Sequence, residues 1–188
     1  MTEQKPIVGV LALQGAVEPH RAHVEKAGGE FRAVKTAKDF KDVDGFILPG
    51  GESTTMLKLI ENFDLWDILS EEFSKKPVWG ICAGSILLAE TVSNPSQKSF
   101  GLLPMSIQRN GYGRQIDSHH ADIEGYTVSF IRAPVITQHK ADVEVLASHE
   151  GTPVWVQKGQ IMASTFHPEL TMNYPSPMHQ RFVDLLKK

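Results

Sequence analysis

The chain of 188 residues is long enough to bury the core of one domain and too short for two of ordinary size. Its net charge of −3 indicates no attraction to nucleic acid or to an anionic membrane, and its single cysteine excludes an internal disulfide. No apolar run approaches the ~20 residues that span a bilayer, and the polar N-terminus is unlike a secretion signal. We therefore expect one cytoplasmic domain covering residues 1–188.

The first half of the chain alternates strand patterns with helical patterns. Strands are predicted at residues 7–13, 31–34, 46–48 and 78–82. Helices are predicted at 17–27, at 65–73, from 83, and after the glycine-rich segment 49–55, where apolar residues of 56–60 lie on one side. The first strand is a continuous apolar run, which is typical of a strand buried on both faces. This alternation predicts βαβ units around a mostly parallel sheet.

The second half of the chain has a different pattern. Short strands are predicted at residues 105–108, 127–131, 143–147 and 154–157, and glycine or polar turns separate them. A last strand at residues 161–166 and an amphipathic helix at 177–186 follow. These strands predict an antiparallel addition to the parallel sheet.

The only cysteine, Cys82, lies at a predicted corner between a strand and a helix. The small residues Gly80, Ala83 and Gly84 allow a tight bend and leave room for a substrate beside the sulfur. A helix beginning at Ala83 would direct its free N–H groups at the sulfur and favour the thiolate. A lone cysteine is otherwise most often an inert buried residue, so the corner alone leaves both interpretations open.

Two further loops are expected at the same edge of the sheet, beyond the carboxyl ends of strands. The Gly50-Gly51 turn offers backbone N–H groups, but no lysine of a phosphate-binding loop follows, so we expect no nucleotide site. Pro168 favours extended backbone at His167, and residues two apart project to one side of a strand. Glu169 can therefore orient the His167 ring, which completes the parts of a nucleophile–base–carboxylate triad with Cys82.

The remaining histidines are not required for this site. Those in polar, helical or turn patterns, which we expect to be solvated or capping residues, are His20, His23, His139, His149 and His179. His119 and His120 are adjacent, and neighbours on a strand point to opposite faces, so we expect no metal site there.

Three segments together resemble the class I, triad-type glutamine amidotransferases: Pro49-Gly50-Gly51-Glu52-Ser53, Gly80-Ile81-Cys82-Ala83-Gly84 and His167-Pro168-Glu169. More closely, and over essentially its whole length, the chain resembles the glutaminase subunits of pyridoxal phosphate synthases. That closer resemblance rests on residues 11–17, 48–56, 109–115, 130–134 and 166–170. The chain departs from the family at Ile81, where threonine is usual, and at Glu18-Pro19, where Arg-Glu is usual.

The resemblance implies a single-domain α/β fold, a flavodoxin-like three-layer sandwich whose mostly parallel sheet has antiparallel additions in the second half. It implies hydrolysis of L-glutamine to glutamate and ammonia through a thioester on Cys82, with His167 as acid and base and Glu169 as its orienter. The implied oxyanion donors are backbone N–H groups of Ala83 and of Gly50 or Gly51. The glutamine site that it implies consists of Gly51, Glu52, Ser53, Arg109, Ile131 and Arg132.

The resemblance also implies a separate synthase subunit as partner, in a large hetero-oligomer that makes pyridoxal 5'-phosphate, and no cofactor or metal. From the residues alone, Arg109 and Arg132 suit a carboxylate substrate because a guanidinium binds a carboxylate through two hydrogen bonds. Two alternatives stay open. One is a glutaminase that serves another synthase, and the other is a non-catalytic flavodoxin-like domain that uses Cys82 for redox chemistry or binding.

Overall fold

The computed structural model describes residues 4–110 and 118–187. Its strands are β1 (Ile7–Leu11), β2 (Glu30–Val34), β3 (Gly45–Leu48), β4 (Val78–Ile81), β5 (Ala89–Ser93), β6 (Leu103–Gln108), β7 (His119–Ile123), β8 (Tyr126–Phe130), β9 (Val135–His139), β10 (Glu144–His149), β11 (Thr152–Lys158) and β12 (Ile161–Ser164). Its helices are α1 (His20–Lys26), α2 (Ala37–Lys41), α3 (Ser53–Asn62), α4 (Trp66–Phe73), α5 (Ala83–Leu88) and α6 (Pro177–Leu186), and a 3-10 turn covers Pro168–Leu170.

The main sheet has seven strands in the order β10-β11-β12-β4-β3-β1-β2. The five strands from β12 to β2 are mutually parallel, and β11 pairs antiparallel with both β12 and β10. The predicted α/β fold with a mostly parallel sheet is therefore confirmed. Since β3, β4 and β12 are neighbours, the loops that follow their carboxyl ends meet at one edge of the sheet.

The core lies on both faces of this sheet because successive strand residues point to opposite sides. Phe46, Leu48 and Val78 belong to one buried apolar cluster, which includes residues of α3, α4 and α5. Ile47 and Trp79 belong to the other, which includes residues of α1 and α6. Helices on both faces of a central sheet form the three-layer arrangement that was expected.

Only part of the second half joins the main sheet. The strands expected near residues 105–108 and 127–131 form as β6 and β8, but β6 pairs with β5 and β9, and β8 pairs with β7. These strands form two smaller sheets, and the antiparallel additions to the main sheet are β10 and β11. In the part of the chain that the structure describes, no helix is long and apolar enough to cross a membrane.

Several boundaries differ from the predictions. β1 ends at Leu11 rather than at residue 13, and α1 begins at His20 rather than at residue 17. The short elements α2, β5 and β9 were not predicted. None of these differences moves the three loops at the carboxyl edge of the sheet.

Candidate active site

Cys82 forms the corner between β4 and α5. Its backbone has φ 49° and ψ −104°, a conformation that residues other than glycine rarely adopt. Its N–H donates to the Ser164 carbonyl at 2.8 Å, and its own carbonyl accepts from the Ser85 hydroxyl at 2.6 Å. The strained corner is therefore held by hydrogen bonds to β12 on one side and to α5 on the other.

The glycines at this corner are required by close packing. A Cβ atom on Gly84 would overlap the carbonyl of Leu48, and one on Gly80 would lie 2.5 Å from the carbonyl of Gly84. Both glycines let α5 pack directly against β3 and β4. Their role is therefore chiefly to seat the helix behind Cys82, rather than to leave open space for a substrate.

His167 and Glu169 form a buried pair beyond β12. Nδ1 of His167 lies 2.7 Å from Oε1 of Glu169, and the two side chains are 9% and 0% exposed. His167 is extended, with φ −108° and ψ 92°, and its backbone N–H donates to the Ser129 carbonyl at 2.8 Å. A β-bridge to β8 thus fixes the backbone of the histidine, and the carboxylate fixes its ring.

The charges of this pair support one another. Burial opposes a charge on His167, but interactions with Cys82 and Glu169 outweigh it and raise the pKa of His167 to about 10. Burial likewise opposes a charge on Glu169, but the hydrogen bond from His167 and the nearby His20 hold the pKa of Glu169 below its usual value. The site therefore favours an imidazolium beside a carboxylate.

A cavity of about 440 Å³ brings the predicted site residues together. Its lining residues are Gln14, Gly51, Glu52, Ser53, Cys82, Ala83, Ile86, Arg109, Asn110, Ile131, Arg132 and His167. Cys82 and His167 share its wall, and Sγ of Cys82 lies 4.0 Å from the Ile131 carbonyl oxygen. Glu169 and Gly50 are not in the lining, but both lie next to His167: Glu169 pairs with Nδ1 of its ring, and a Cβ atom on Gly50 would overlap its Cε1.

The Gly50-Gly51 turn has a defined orientation. The Gly50 carbonyl accepts from the Ala16 N–H at 3.0 Å. Because the C=O and N–H of a trans peptide point in opposite directions, the Gly51 N–H points away from Ala16. Gly51 also lines the cavity.

Arg109 and Glu52 form the polar wall of the cavity. Nη2 of Arg109 donates to Oγ1 of Thr54 at 2.7 Å and lies 3.6 Å from Oε1 of Glu52. The Glu52 carboxylate caps α3 by accepting from the Thr55 N–H at 2.9 Å. Burial would raise the pKa of Glu52, but these hydrogen bonds and Arg109 lower it. Much of the hydrogen-bonding capacity of Glu52 is therefore used within the protein.

The other predicted glutamine-site residues differ in exposure. The Ser53 hydroxyl is buried and donates to Oε1 of Gln97 at 3.1 Å. Ile131 and Arg132 are exposed at the cavity, and Arg132 has φ 43°. The segment 111–115, part of the pattern on which the closer resemblance rests, lies outside the described residues.

Three histidines contradict the sequence-based expectation. His20, His23 and His179 were expected to be solvated or capping residues, but each is fully buried. They pack together between α1 and α6, where Nδ1 of His20 lies 2.8 Å from Nε2 of His179 and the ring of His23 stacks on that of His179. Pairing of one imidazole with another satisfies polar atoms that would otherwise be costly to bury.

Sequence reasoning also missed three residues of the cavity wall: Gln14, Ile86 and Asn110. Gln14 follows β1 at the same edge of the sheet as Cys82, and its Oε1 accepts from the Glu52 N–H at 3.3 Å. The position of Gln14 beyond a parallel strand was the available signal. Within the described ranges, no group of three or more His, Cys, Asp or Glu side chains is arranged to hold a metal ion.

An open α/β sheet with a cysteine elbow beside a His–Glu pair defines the glutamine amidotransferase class, and comparison with known proteins agrees. The model of the SNO glutamine amidotransferase family matches residues 10–188, and the chain belongs to this family. Pyridoxal 5'-phosphate synthase subunit PdxT of Solibacter usitatus is 47% identical over 176 residues, which cover 87% of this chain and 92% of that protein.

Two further relatives extend this likeness over nearly the whole chain. The PdxT subunit of Bacillus licheniformis is 43% identical over 188 residues, which cover 96% of this chain and 95% of that protein. A crystal structure described as a glutamine amidotransferase matches with a TM-score of 0.87 at 36% identity, covering 95% of this chain and 98% of its own.

Proposed function

We propose that this protein hydrolyses L-glutamine to L-glutamate and ammonia through a covalent thioester on Cys82. The observation that carries the proposal is one cavity that holds Cys82 at a strained elbow together with His167, whose ring is paired with Glu169 at 2.7 Å. A nucleophile, a base and an oriented carboxylate are the groups that acyl transfer from an amide requires. Membership of the glutamine amidotransferase family supports glutamine as the amide.

In the first half of the reaction, the Cys82 thiol gives its proton to Nε2 of His167, and the thiolate attacks the carboxamide carbon of glutamine. The raised pKa of His167 supports this proton position, because the imidazolium lies beside both the sulfur and Glu169. The imidazolium then protonates the leaving nitrogen, and the C–N bond breaks to release ammonia and leave a glutamyl thioester.

In the second half, the neutral His167 ring removes a proton from water, and the resulting hydroxide attacks the thioester carbon. The C–S bond breaks, glutamate leaves, and the sulfur recovers its original protonation through His167. Glu169 accepts the Nδ1–H of His167 throughout and holds the ring in one tautomer.

We assign the oxyanion hole to the backbone N–H groups of Ala83 and Gly51. Ala83 is the first residue of α5, so its N–H has no partner within the helix. The Gly51 N–H points away from Ala16 on a residue that lines the cavity. The N–H of Gly50 is the alternative from the same turn. One such donor contributes roughly 10²–10³ in rate in comparable acyl transfers.

For the substrate, we assign Arg109 and Arg132 to the α-carboxylate of glutamine, since a guanidinium provides two parallel donors. Arg109 is positioned for this role because its Nη2 is already held by Thr54. Gly51, Glu52, Ser53 and Ile131 form the remaining wall of this proposed site.

We further propose that the ammonia passes to a synthase subunit that makes pyridoxal 5'-phosphate, within a hetero-oligomer. The support is the name of the relatives that are 43% and 47% identical, which are subunits of such a synthase. We place this complex in the cytoplasm, where the free Cys82 thiol stays reduced. We assign the chain no nucleic-acid or membrane partner and no cofactor.

The experiment is glutamate release from glutamine by this chain, measured alone and with a pyridoxal phosphate synthase subunit. We expect turnover that the synthase subunit increases. A glutaminase that ignores this subunit and responds to a different synthase would overturn the proposed partner. A complex that binds glutamine without releasing ammonia would overturn the proposed reaction.

A further inference from the structure

Gln97 lies outside the cavity lining, but its side chain contacts the first turn of α3, which forms part of the cavity wall. Oε1 of Gln97 lies 3.1 Å from Oγ of Ser53 and 3.5 Å from Oγ1 of Thr54. Ser53 lines the cavity, and Thr54 accepts a hydrogen bond from Arg109. A single amide oxygen therefore contacts two hydroxyl groups beside the proposed substrate site.

The direction of these hydrogen bonds follows from Arg109. A guanidinium has only donors, so Oγ1 of Thr54 accepts from Nη2 of Arg109 across their 2.7 Å contact. The hydroxyl proton of Thr54 must then point elsewhere, and Oε1 of Gln97 is an acceptor within its reach. A carbonyl oxygen has two lone pairs, so this one oxygen can accept from both Thr54 and Ser53.

The segment that carries Gln97, between β5 and β6, also holds the backbone at Arg109. The Arg109 N–H donates to the carbonyl of Ser93, the last residue of β5, at 3.0 Å. The side-chain amide of Asn110 donates to the Asn94 carbonyl at 2.8 Å, and that of Asn94 donates to the Asn110 carbonyl at 3.4 Å. Residues 93–97 therefore restrain Arg109 through its backbone and, by way of Thr54, through its guanidinium.

We infer that Gln97 is a positioning residue for the substrate: it orients the Thr54 hydroxyl, and Thr54 in turn holds the guanidinium of Arg109 at the cavity wall. An arginine that is fixed before the substrate arrives loses less conformational freedom when it binds, so the affinity is higher. The effect on substrate binding rests on the proposed function, because it requires Arg109 to bind glutamine. The restraint on Arg109 itself does not depend on that function.

The direct test is the mobility of the Arg109 side chain in the full-length chain without glutamine, read from ¹⁵N relaxation of its Nε–H group. Gln97→Met keeps the length of the side chain but removes the amide. We expect the order parameter of Arg109 to fall from about 0.85, the value of a rigid N–H group, to about 0.6 or below. An unchanged order parameter in a folded variant would overturn the inference. This measurement needs neither glutamine nor the partner subunit, so its result is independent of whether the protein is a glutaminase.

Steady-state kinetics in the complex test the consequence for glutamine. Gln97→Met should raise KM roughly 3- to 10-fold, the scale of one neutral hydrogen bond, with little change in kcat because the reacting groups are untouched. Gln97→Glu keeps acceptor oxygens at the same place, so it should keep KM close to that of the wild type. A Gln97→Glu variant as impaired as Gln97→Met would contradict the inference, and so would a loss of kcat without a change in KM.

A double substitution tests the route through Thr54. Thr54→Val keeps the branched shape of the side chain but removes the hydroxyl that holds Arg109. If Gln97 acts through Thr54, adding Gln97→Met to Thr54→Val raises KM no further, because the two residues act as one unit. Effects on KM that multiply independently would overturn the inference.

Gln157→Met is the matched control. Its Oε1 also holds an arginine, since Nε of Arg181 donates to it at 2.7 Å, but Gln157 is not in the cavity lining. We expect Gln157→Met to lower the unfolding temperature without changing KM or the order parameter of Arg109. Equal changes in both values for Gln157→Met and Gln97→Met would mean a general loosening of the fold and would contradict the inference. If Gln97→Met does not fold, Gln97→Ala takes its place in each comparison.

Discussion

Nδ1 of His167 lies 2.7 Å from Oε1 of Glu169, two residues further along the chain. The pairing depends on the extended backbone of His167, which the β-bridge to Ser129 holds, and on the 3-10 turn that begins at Pro168. Local sequence thus provides the pair, and a distant strand fixes its position beside Cys82.

Replacing Cys82 by alanine should abolish ammonia release without unfolding the protein. The substitution removes only the S–H group. Alanine keeps the Cβ atom, so residue 82 can keep the same backbone conformation and hydrogen bonds. We expect turnover in the complex to fall by more than about 10³-fold, as for other nucleophile deletions. Ammonia assays and thermal unfolding of both proteins check this. Retained glutaminase activity in a folded variant would refute the role of Cys82.

His167→Asn and Glu169→Gln should differ in severity. Asparagine removes the group that transfers protons, so we expect a loss close to that of Cys82→Ala. Glutamine at residue 169 can still accept the Nδ1–H of His167 through its amide oxygen, but it lacks the charge that stabilises the imidazolium. We expect a loss of kcat that is smaller than that of His167→Asn. Steady-state kcat values rank the two, and a more damaging Glu169→Gln would count against the assigned roles.

Alanine substitutions at Gly50 and Gly51 should reduce catalysis to different degrees, because the added Cβ atoms would contact different side chains. A Cβ at residue 50 would overlap Cε1 of His167, whereas one at residue 51 would meet the end of the flexible Gln14 side chain. We expect Gly50→Ala to displace the His167 ring and reduce kcat by about 10²-fold or more, the scale of a misplaced catalytic group. Gly51→Ala should be milder in kcat/KM. Equal effects would indicate that the turn acts only through its backbone.

Arg109→Lys should weaken substrate binding more than chemistry. The guanidinium is held by Thr54 and faces the cavity, and lysine cannot provide its two parallel donors. Loss of a charge-assisted hydrogen bond of about 1.5–3 kcal/mol raises KM for glutamine roughly 10- to 100-fold. Arg32→Lys is the matched control, since Arg32 pairs with Glu30 on the surface away from the cavity. A similar KM for both variants would remove Arg109 from the substrate site.

The buried histidines should make the fold sensitive to mild acid. Burial lowers the pKa of His20 to about 4, so the unfolded chain binds the extra proton first as pH falls. The contribution of neutral His20 to the free energy of unfolding is fully present above about pH 6.5. It is lost as the pH falls from there to about 4, a change on the order of 3 kcal/mol.

Denaturant unfolding across this pH range measures the slope. We expect His20→Gln to flatten the slope, because glutamine takes up no proton in this range. An identical slope in His20→Gln would show that the acid sensitivity arises elsewhere. His167 does not contribute to the slope in this pH range. Its raised pKa contributes stability that is lost only as the pH rises from about 6.5 to about 10.

The site was more predictable than the rest of the fold. Parallel strands bring their carboxyl ends to one edge, so a cysteine, a glycine turn and a His-x-Glu pair that each follow such a strand must lie near one another. Those signals are local: the small residues around Cys82 and the proline after His167 favour the observed backbone, which Ser164 and Ser129 then hold through hydrogen bonds. The parallel order of the strands then brings the three loops, which are distant in the sequence, to the same edge of the sheet.

What the sequence could not indicate depends on contacts between distant residues. His20 and His179 are 159 residues apart and become neighbours only because α1 and α6 pack on the same face of the sheet. By contrast, α2 carried a local signal that was overlooked: Thr36 and Asp39 form a capping box at its N-terminus. The strands β5 and β9 pair with β6 in a separate small sheet. The alternation of strand and helix patterns, which predicts the parallel main sheet, therefore gives no information about them.

The central claim, a thioester on Cys82, is tested most directly by acid-quenching the complex during turnover of glutamine and analysing its peptides by mass spectrometry. The account predicts a gain of one glutamyl group, with loss of the sulfur proton, on the peptide that contains Cys82, dependent on glutamine and absent in Cys82→Ala. Rapid glutamate release with no adduct on that peptide, together with an adduct on another residue, would contradict it.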